Sequence, residues 1–123
     1  MLTIRTEQLR ALNAQVRQDL RERLVWHYSV RAGEFGLDPR FVAPHIDEGL
    51  AECDKFRLYY KPEVDLFFLT VFRHYGGFLP APISYPARAL RFLSDQRADA
   101  YERVRGFAEW SDYQKNQAAR RNR

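Results

Sequence analysis

The sequence predicts an all-α fold: a single-domain bundle of four to five helices with a proline-rich apolar loop. Three observations predict it. Apolar residues recur at steps of three and four along most of the chain. Proline, glycine and capping residues punctuate those stripes where helices should start and stop. The one alternating stretch, 56–60, is short and runs into Lys61-Pro62, so no strand is expected. A chain of 123 residues, 46% of them hydrophobic, is one domain with enough apolar mass for a core. Nine Phe, seven Tyr and two Trp make that core aromatic.

The elements follow in order. Thr6 is placed to cap a first helix from Glu7 to Val30 or Arg31. Leu9, Leu12, Val16, Leu20, Leu24 and Tyr28 form its stripe, and Gly33 and Gly36 stop it. Asp38-Pro39 is a helix-start signal, and Pro44 interrupts or restarts it. A second helix follows over His45 to Arg57, with Ile46, Leu50, Cys53 and Phe56 on its apolar face. Lys61-Pro62-Glu63 opens a third helix, whose face of Val64, Phe67, Phe68, Val71, Phe72 and Tyr75 is widened by Leu66 and Leu69. That helix is the expected centre, ended by Gly76. Pro86 starts a short helix over Ala87 to Leu93, with Leu90 and Leu93 inward. Ser94 or Asp95 caps a last helix with Ala98, Tyr101, Val104, Phe107 or Ala108, and Tyr113 on its stripe. Gly106 weakens this helix without ending it. The domain is expected to span 1–114, followed by a basic tail over 115–123.

Charge and cysteine usage narrow the function classes. The net charge of +4 sits in the acid-free tail, on Lys115, Arg120, Arg121 and Arg123, so residues 1–114 are neutral. Such a tail reads as a solvated helix end, whereas nucleic-acid binding wants a basic face on the folded body. A single cysteine excludes an internal disulfide and a cysteine metal cage. It points to a reduced, cytoplasmic compartment. The N-terminus lacks the apolar core of a signal peptide, and the longest apolar run, Leu66 to Phe72, is too short to span a bilayer. Neither a membrane nor a nucleic-acid partner is expected.

The chemistry-bearing residues do not assemble into a motif. His27, His45 and His74 lie in three different segments without metal-ligand spacing, so no metal or other cofactor is expected. Cys53 sits on an apolar face and reads as a core residue, with no readable histidine partner. Asp95 reads as a helix-start acid and Asp99 as a surface residue. Gly76-Gly77 follows a helix, the wrong context for cradling phosphate. A small enzyme with its site around His74, Tyr75 and Glu63 would need those three groups to meet in one cleft.

What stands out is the apolar loop. Phe78, Leu79, Pro80, Pro82, Ile83, Tyr85 and Pro86 fall within nine residues. Connecting segments are normally polar. The loop either packs across the bundle or forms a ridge for a partner protein. The helical stripes already hold enough Leu, Val and Phe for a core, so the loop apolars count as surplus. The expected protein-binding residues are Phe78, Leu79, Pro80, Pro82, Tyr85, Pro86 and, late in the last helix, Trp110. On that reading, changing Phe78 and Tyr85 to Ala costs the free protein little stability. Trp26, off the main stripe of helix one, either widens the core face or is a second exposed anchor.

The run Ile4 to Leu12 leads into the long first helix. Glu63-Val64 through Phe72 forms the middle, followed by the turn Tyr75-Gly76-Gly77-Phe78. Leu93-Ser94-Asp95 and Glu102-Arg103-Val104 come near the end. In this layout the chain resembles a family of small bacterial proteins encoded in type VI secretion effector clusters. The resemblance covers most of the chain and rests on helix faces and turns. It implies an effector-associated accessory role: a co-chaperone binding the toxin effector or its adaptor chaperone. A non-catalytic, protein-binding function is therefore expected. An immunity protein that neutralises a cognate toxin is the alternative, although a basic or nucleic-acid-cleaving toxin would favour an acidic face that this chain lacks.

Overall fold

The apolar run behind Lys61-Pro62 becomes the axis of the molecule. In the computed structural model, which describes the backbone of residues 2–121 and the side chains of residues 14–121, five α-helices follow one another. They are α1 (Leu2–Val30), α2 (Val42–Lys55), α3 (Lys61–His74), α4 (Ala87–Ser94) and α5 (Ala100–Arg121). Two 3-10 turns, Ala32–Phe35 and Pro39–Phe41, join α1 to α2. No strand occurs among the described residues. The chain is an all-α bundle.

Val64, Phe67, Phe68 and Val71 of α3 are fully buried. Leu24 and Tyr28 of α1 and Ile46 and Cys53 of α2 join them in the core, as do Leu93 of α4 and Val104 and Phe107 of α5. Ion pairs fix the outer helices: Arg17 with Asp54 and Arg21 with Asp47 run in opposite order along α1 and α2, so the two are antiparallel. Arg23 reaches Asp65 on α3. These pairs are partly exposed and set register more than stability.

Local signals account for most boundaries. Asp38 caps the turn at Pro39, its Oδ1 accepting from the Arg40 N–H at 2.9 Å. Pro44 sits in the first turn of α2, where its missing N–H has no intrahelical partner to lose. Pro62 opens α3 in the same way. The structure also corrects several expectations. The α1 backbone starts at Leu2, so Thr6 does not stand at a helix start; its side chain and those of Leu9 and Leu12 lie outside the described residues. Val16 lies beyond the Arg17–Asp54 pair, where α2 has ended, and is half exposed. The last helix starts at Ala100, and its cap is Asp99, whose Oδ1 accepts from the Glu102 N–H at 2.8 Å. Asp95 instead closes a separate turn with Arg97. Leu90 is exposed because Ala89 and Leu93, four apart, take the inward face of the eight-residue α4. Tyr101 and Tyr113 are exposed as well; Val104, Phe107, Ala108 and Ser111 form the buried face of α5. This helix runs unbroken through residues 114 and 115.

Two helix ends meet on one buried cation. Arg57, at φ 58°, turns the chain left-handed after α2. The Leu58 N–H returns to the Cys53 carbonyl at 2.8 Å, and the Arg57 N–H to that of Asp54 at 3.2 Å. This is a Schellman turn with arginine where glycine is favoured, closed by the fully buried Leu58. Arg103 of α5, itself buried, donates through Nη1 to the carbonyls of Phe56 (2.7 Å) and Leu93 (2.8 Å). It thereby satisfies orphan carbonyls at the C-terminal ends of α2 and α4, where positive charge is favoured.

Arg57→Gly is expected to raise stability by about 1 kcal/mol, because glycine adopts this conformation without the Cβ conflict. Urea unfolding with an unchanged slope and a higher midpoint is the expected result; an unmoved midpoint would refute the strain.

Candidate protein-docking site

Gly76 and Gly77 turn the chain back from the end of α3 with φ of 77° and 102°. A Cβ on Gly77 would stand 2.7 Å from His45 Cε1, so the turn lies flush against that ring. His45, from α2, accepts the Phe78 N–H at Nδ1 (3.0 Å). The Phe78 ring then drops among Phe67, Phe68 and Phe72, with centroids 5.2–6.0 Å away. Gly49 makes this possible: any Cβ there would overlap the rings of Phe68 and Phe78.

Phe78 is therefore a core residue, only 3% exposed, and cannot present its ring to a partner while the fold is intact. Tyr85 is half-buried. It packs edge-on against Phe56 and Phe107 and donates its hydroxyl to Glu52 Oε2 at 3.1 Å. Burial, with Glu52 beside it, pushes the phenol pKa well up. The expectation that Phe78 and Tyr85 are surplus to the core is overturned, because the helical stripes leave a gap over α3 that these rings fill. Between the two anchors Leu79 is half-buried and Pro80 and Pro82 are exposed; Pro86, exposed, precedes the first turn of α4.

The loop thus separates two open clefts. The first, about 520 Å³, is walled by Leu37, Phe41, Leu79 and Pro80, with His45 at its base. Phe41 is half exposed there. The second, about 420 Å³, lies where α3 ends against α5 and is lined by Arg73, His74, Tyr75, Pro86, Trp110 and Lys115 among others. His74 Nε2–H donates to Asp112, and the Tyr75 hydroxyl meets Ser111 Oγ at 3.0 Å. Trp110 is half-buried against the core. Pro82 lines neither cleft, and Trp26 is exposed on α1.

The residues proposed for catalysis do not assemble. His74 and Tyr75 share the second cleft, but Glu63 stands in the first turn of α3, about 16 Å away along the helix axis. Burial raises the pKa of Tyr75. Burial also pushes the Cys53 thiol far up, so the thiolate needed for nucleophilic attack is scarce. Among the described residues no group of three or more His, Cys, Asp or Glu could hold a metal ion. Leu37, Phe41 and His45 carry no local signal in the sequence, because the other half of their cleft comes from residues about forty positions later. Among the described residues no helix is long and apolar enough to cross a membrane.

Phe78→Ala is expected to cost about 3–5 kcal/mol in urea unfolding, as for a large ring deleted from a packed core; a loss below about 1 kcal/mol would return the ring to the surface.

Burial holds His45 below the usual imidazole range, and the neutral ring is the form that accepts from Phe78. This contribution to stability is full above about pH 6.5, the ordinary value. It declines as pH falls from there and is lost once pH passes below the lowered folded-state pKa. Asp38 and Asp47, held low by hydrogen bonds from Arg40 and Arg21, respond only at lower pH. His45→Gln keeps an acceptor without a titrating group. Thermal melts of the variant should lack the loss seen in the parent just below pH 6.5, whereas superimposable profiles would rule this out.

No protein-family model matches this chain, and neither curated proteins nor solved structures yield a match.

Proposed function

We propose that this chain is a non-catalytic accessory factor that binds another protein stoichiometrically in the cytoplasm. The observation that carries this reading is the loop between α3 and α4. Phe78 and Tyr85 anchor it in the core, and Leu79, Pro80 and Pro86 stand on the walls of two open clefts. Residues held this rigidly lose little freedom on binding, which favours recognition. A cleft walled by Leu37, Phe41, Leu79 and Pro80 suits an apolar side chain of a partner.

The concrete form of the proposal is a co-chaperone that helps load or stabilise a type VI secretion toxin effector together with its adaptor. The resemblance in helix faces and turns supports it. Catalysis around His74 has no comparable support, since Glu63 is remote from His74 and Tyr75.

Co-expression with the proteins encoded beside its gene, followed by size exclusion with light scattering, tests the reading. A complex of fixed stoichiometry is expected. Phe41→Asp combined with Leu79→Asp should weaken it by about 2 kcal/mol or more, roughly thirtyfold, without changing helical circular dichroism. Absence of any complex, or a complex indifferent to both substitutions, would defeat the proposal. A complex that blocks the toxin's own activity would transfer the chain to the immunity role.

A further inference from the structure

We propose that the Trp110 cleft receives an acidic segment of the partner. One apolar side chain of that segment lies against Trp110, and a neighbouring carboxylate lies between Arg73 and Lys115. The proposal rests on the protein-binding reading above and names the partner's chemistry at one of the two clefts.

Charge complementarity carries it. Arg73 comes from the last turn of α3 and Lys115 from α5, and both line the cleft. Both are exposed, and among the described residues neither is paired with a carboxylate. The arginines Arg17, Arg21 and Arg23 of α1 are, by contrast, each matched to an acid. No carboxylate lines the cleft, and the acid on this turn of α5, Asp112, is held by His74. Two cations with no ion-pair partner among the described residues therefore line one concave space, with the nearby Asp112 engaged by His74.

The same space has apolar walls. The half-buried Trp110, together with Tyr75 and Pro86, offers ring and proline surface beside the cations. A bare anion would leave that surface wet, and an uncharged apolar group would bury the cations without partners. A peptide with an aromatic or aliphatic residue among Asp and Glu satisfies both, with charge-assisted hydrogen bonds to Arg73 and Lys115. Nucleic acid fits less well. It asks for a track of cations matched to successive phosphates and several stacking faces, whereas here two cations converge on one cleft with one indole.

The test uses the full chain carrying Trp26→Phe, which leaves Trp110 as the only indole. The probe is an acetylated, amidated hexapeptide of Asp and Glu with one central Phe. Indole fluorescence should show saturable binding that weakens with salt. Arg73→Glu or Lys115→Glu should each reduce affinity about tenfold or more. Both residues are exposed, so unchanged circular dichroism is expected in each variant. Replacing the central Phe by Gly should weaken the peptide, and exchanging its acids for Lys should abolish binding. The proposal fails if the acidic peptide does not bind at millimolar concentration or if the lysine peptide binds equally. It fails too if affinity survives the double charge reversal, or if a single-stranded oligonucleotide binds more tightly through the same residues. Because the titration uses the isolated protein, its failure is separable from that of the co-purification: a complex without peptide binding removes only the acidic cleft.

Discussion

The rest of the structure depends on the seating of Phe78. Its ring occupies the space between α2 and α3 that Gly49 leaves open, in contact with three phenylalanines of α3. Burying a ring there also buries the backbone that carries it, and a buried N–H without an acceptor is costly. His45 supplies that acceptor at 3.0 Å. The flush approach of Gly77 to the same imidazole allows the bond to form. This clasp holds the first half of the loop against the bundle and so places Leu79 and Pro80 on the wall of the first cleft.

A second constraint is the placement of charge. Arg103 is buried with its guanidinium on the carbonyls that end α2 and α4. Its Nε finds no partner among the described residues. The arrangement is sustained by the negative ends of two helices rather than by an ion pair. Arg17, Arg21 and Arg23 of α1 are used for register against α2 and α3. The cations at the junction of α3 and α5 remain uncommitted. Arg73 of the neutral body and Lys115 of the basic segment both line the Trp110 cleft.

Core and surface roles meet in one loop. Two of its aromatic rings are structural, and the residues between and beside them are displayed. A surface held from within is preorganised, so little ordering cost remains when a partner arrives. The polar groups beside it are bonded to one another, Tyr75 to Ser111 and His74 to Asp112, and tie the end of α3 to α5.

The helices and their central member were legible because period, proline and capping act within a few residues. Phe67, Phe68 and Val71 are buried where their spacing put them, and Asp38-Pro39 and Pro62 start the elements they mark. The Schellman turn after α2 was hidden because arginine stands at the left-handed position; only the buried Leu58 and the carbonyl-binding Arg103, forty-six residues after Arg57, make that conformation worthwhile. The split of the apolar loop was equally hidden. Its sequence shows seven apolar or proline residues of one general kind, and nothing local separates Phe78 from Leu79. Which of them goes inside is decided by Gly49 and His45 on another helix, and which cleft the others line is decided by Leu37, Phe41 and Trp110. By itself the sequence determined the helical class, the central α3 and the location of the unusual loop, since hydrophobic period and chain stiffness are local. Only the tertiary structure decided what is core and what is surface within that loop, because burial depends on which distant residues leave room.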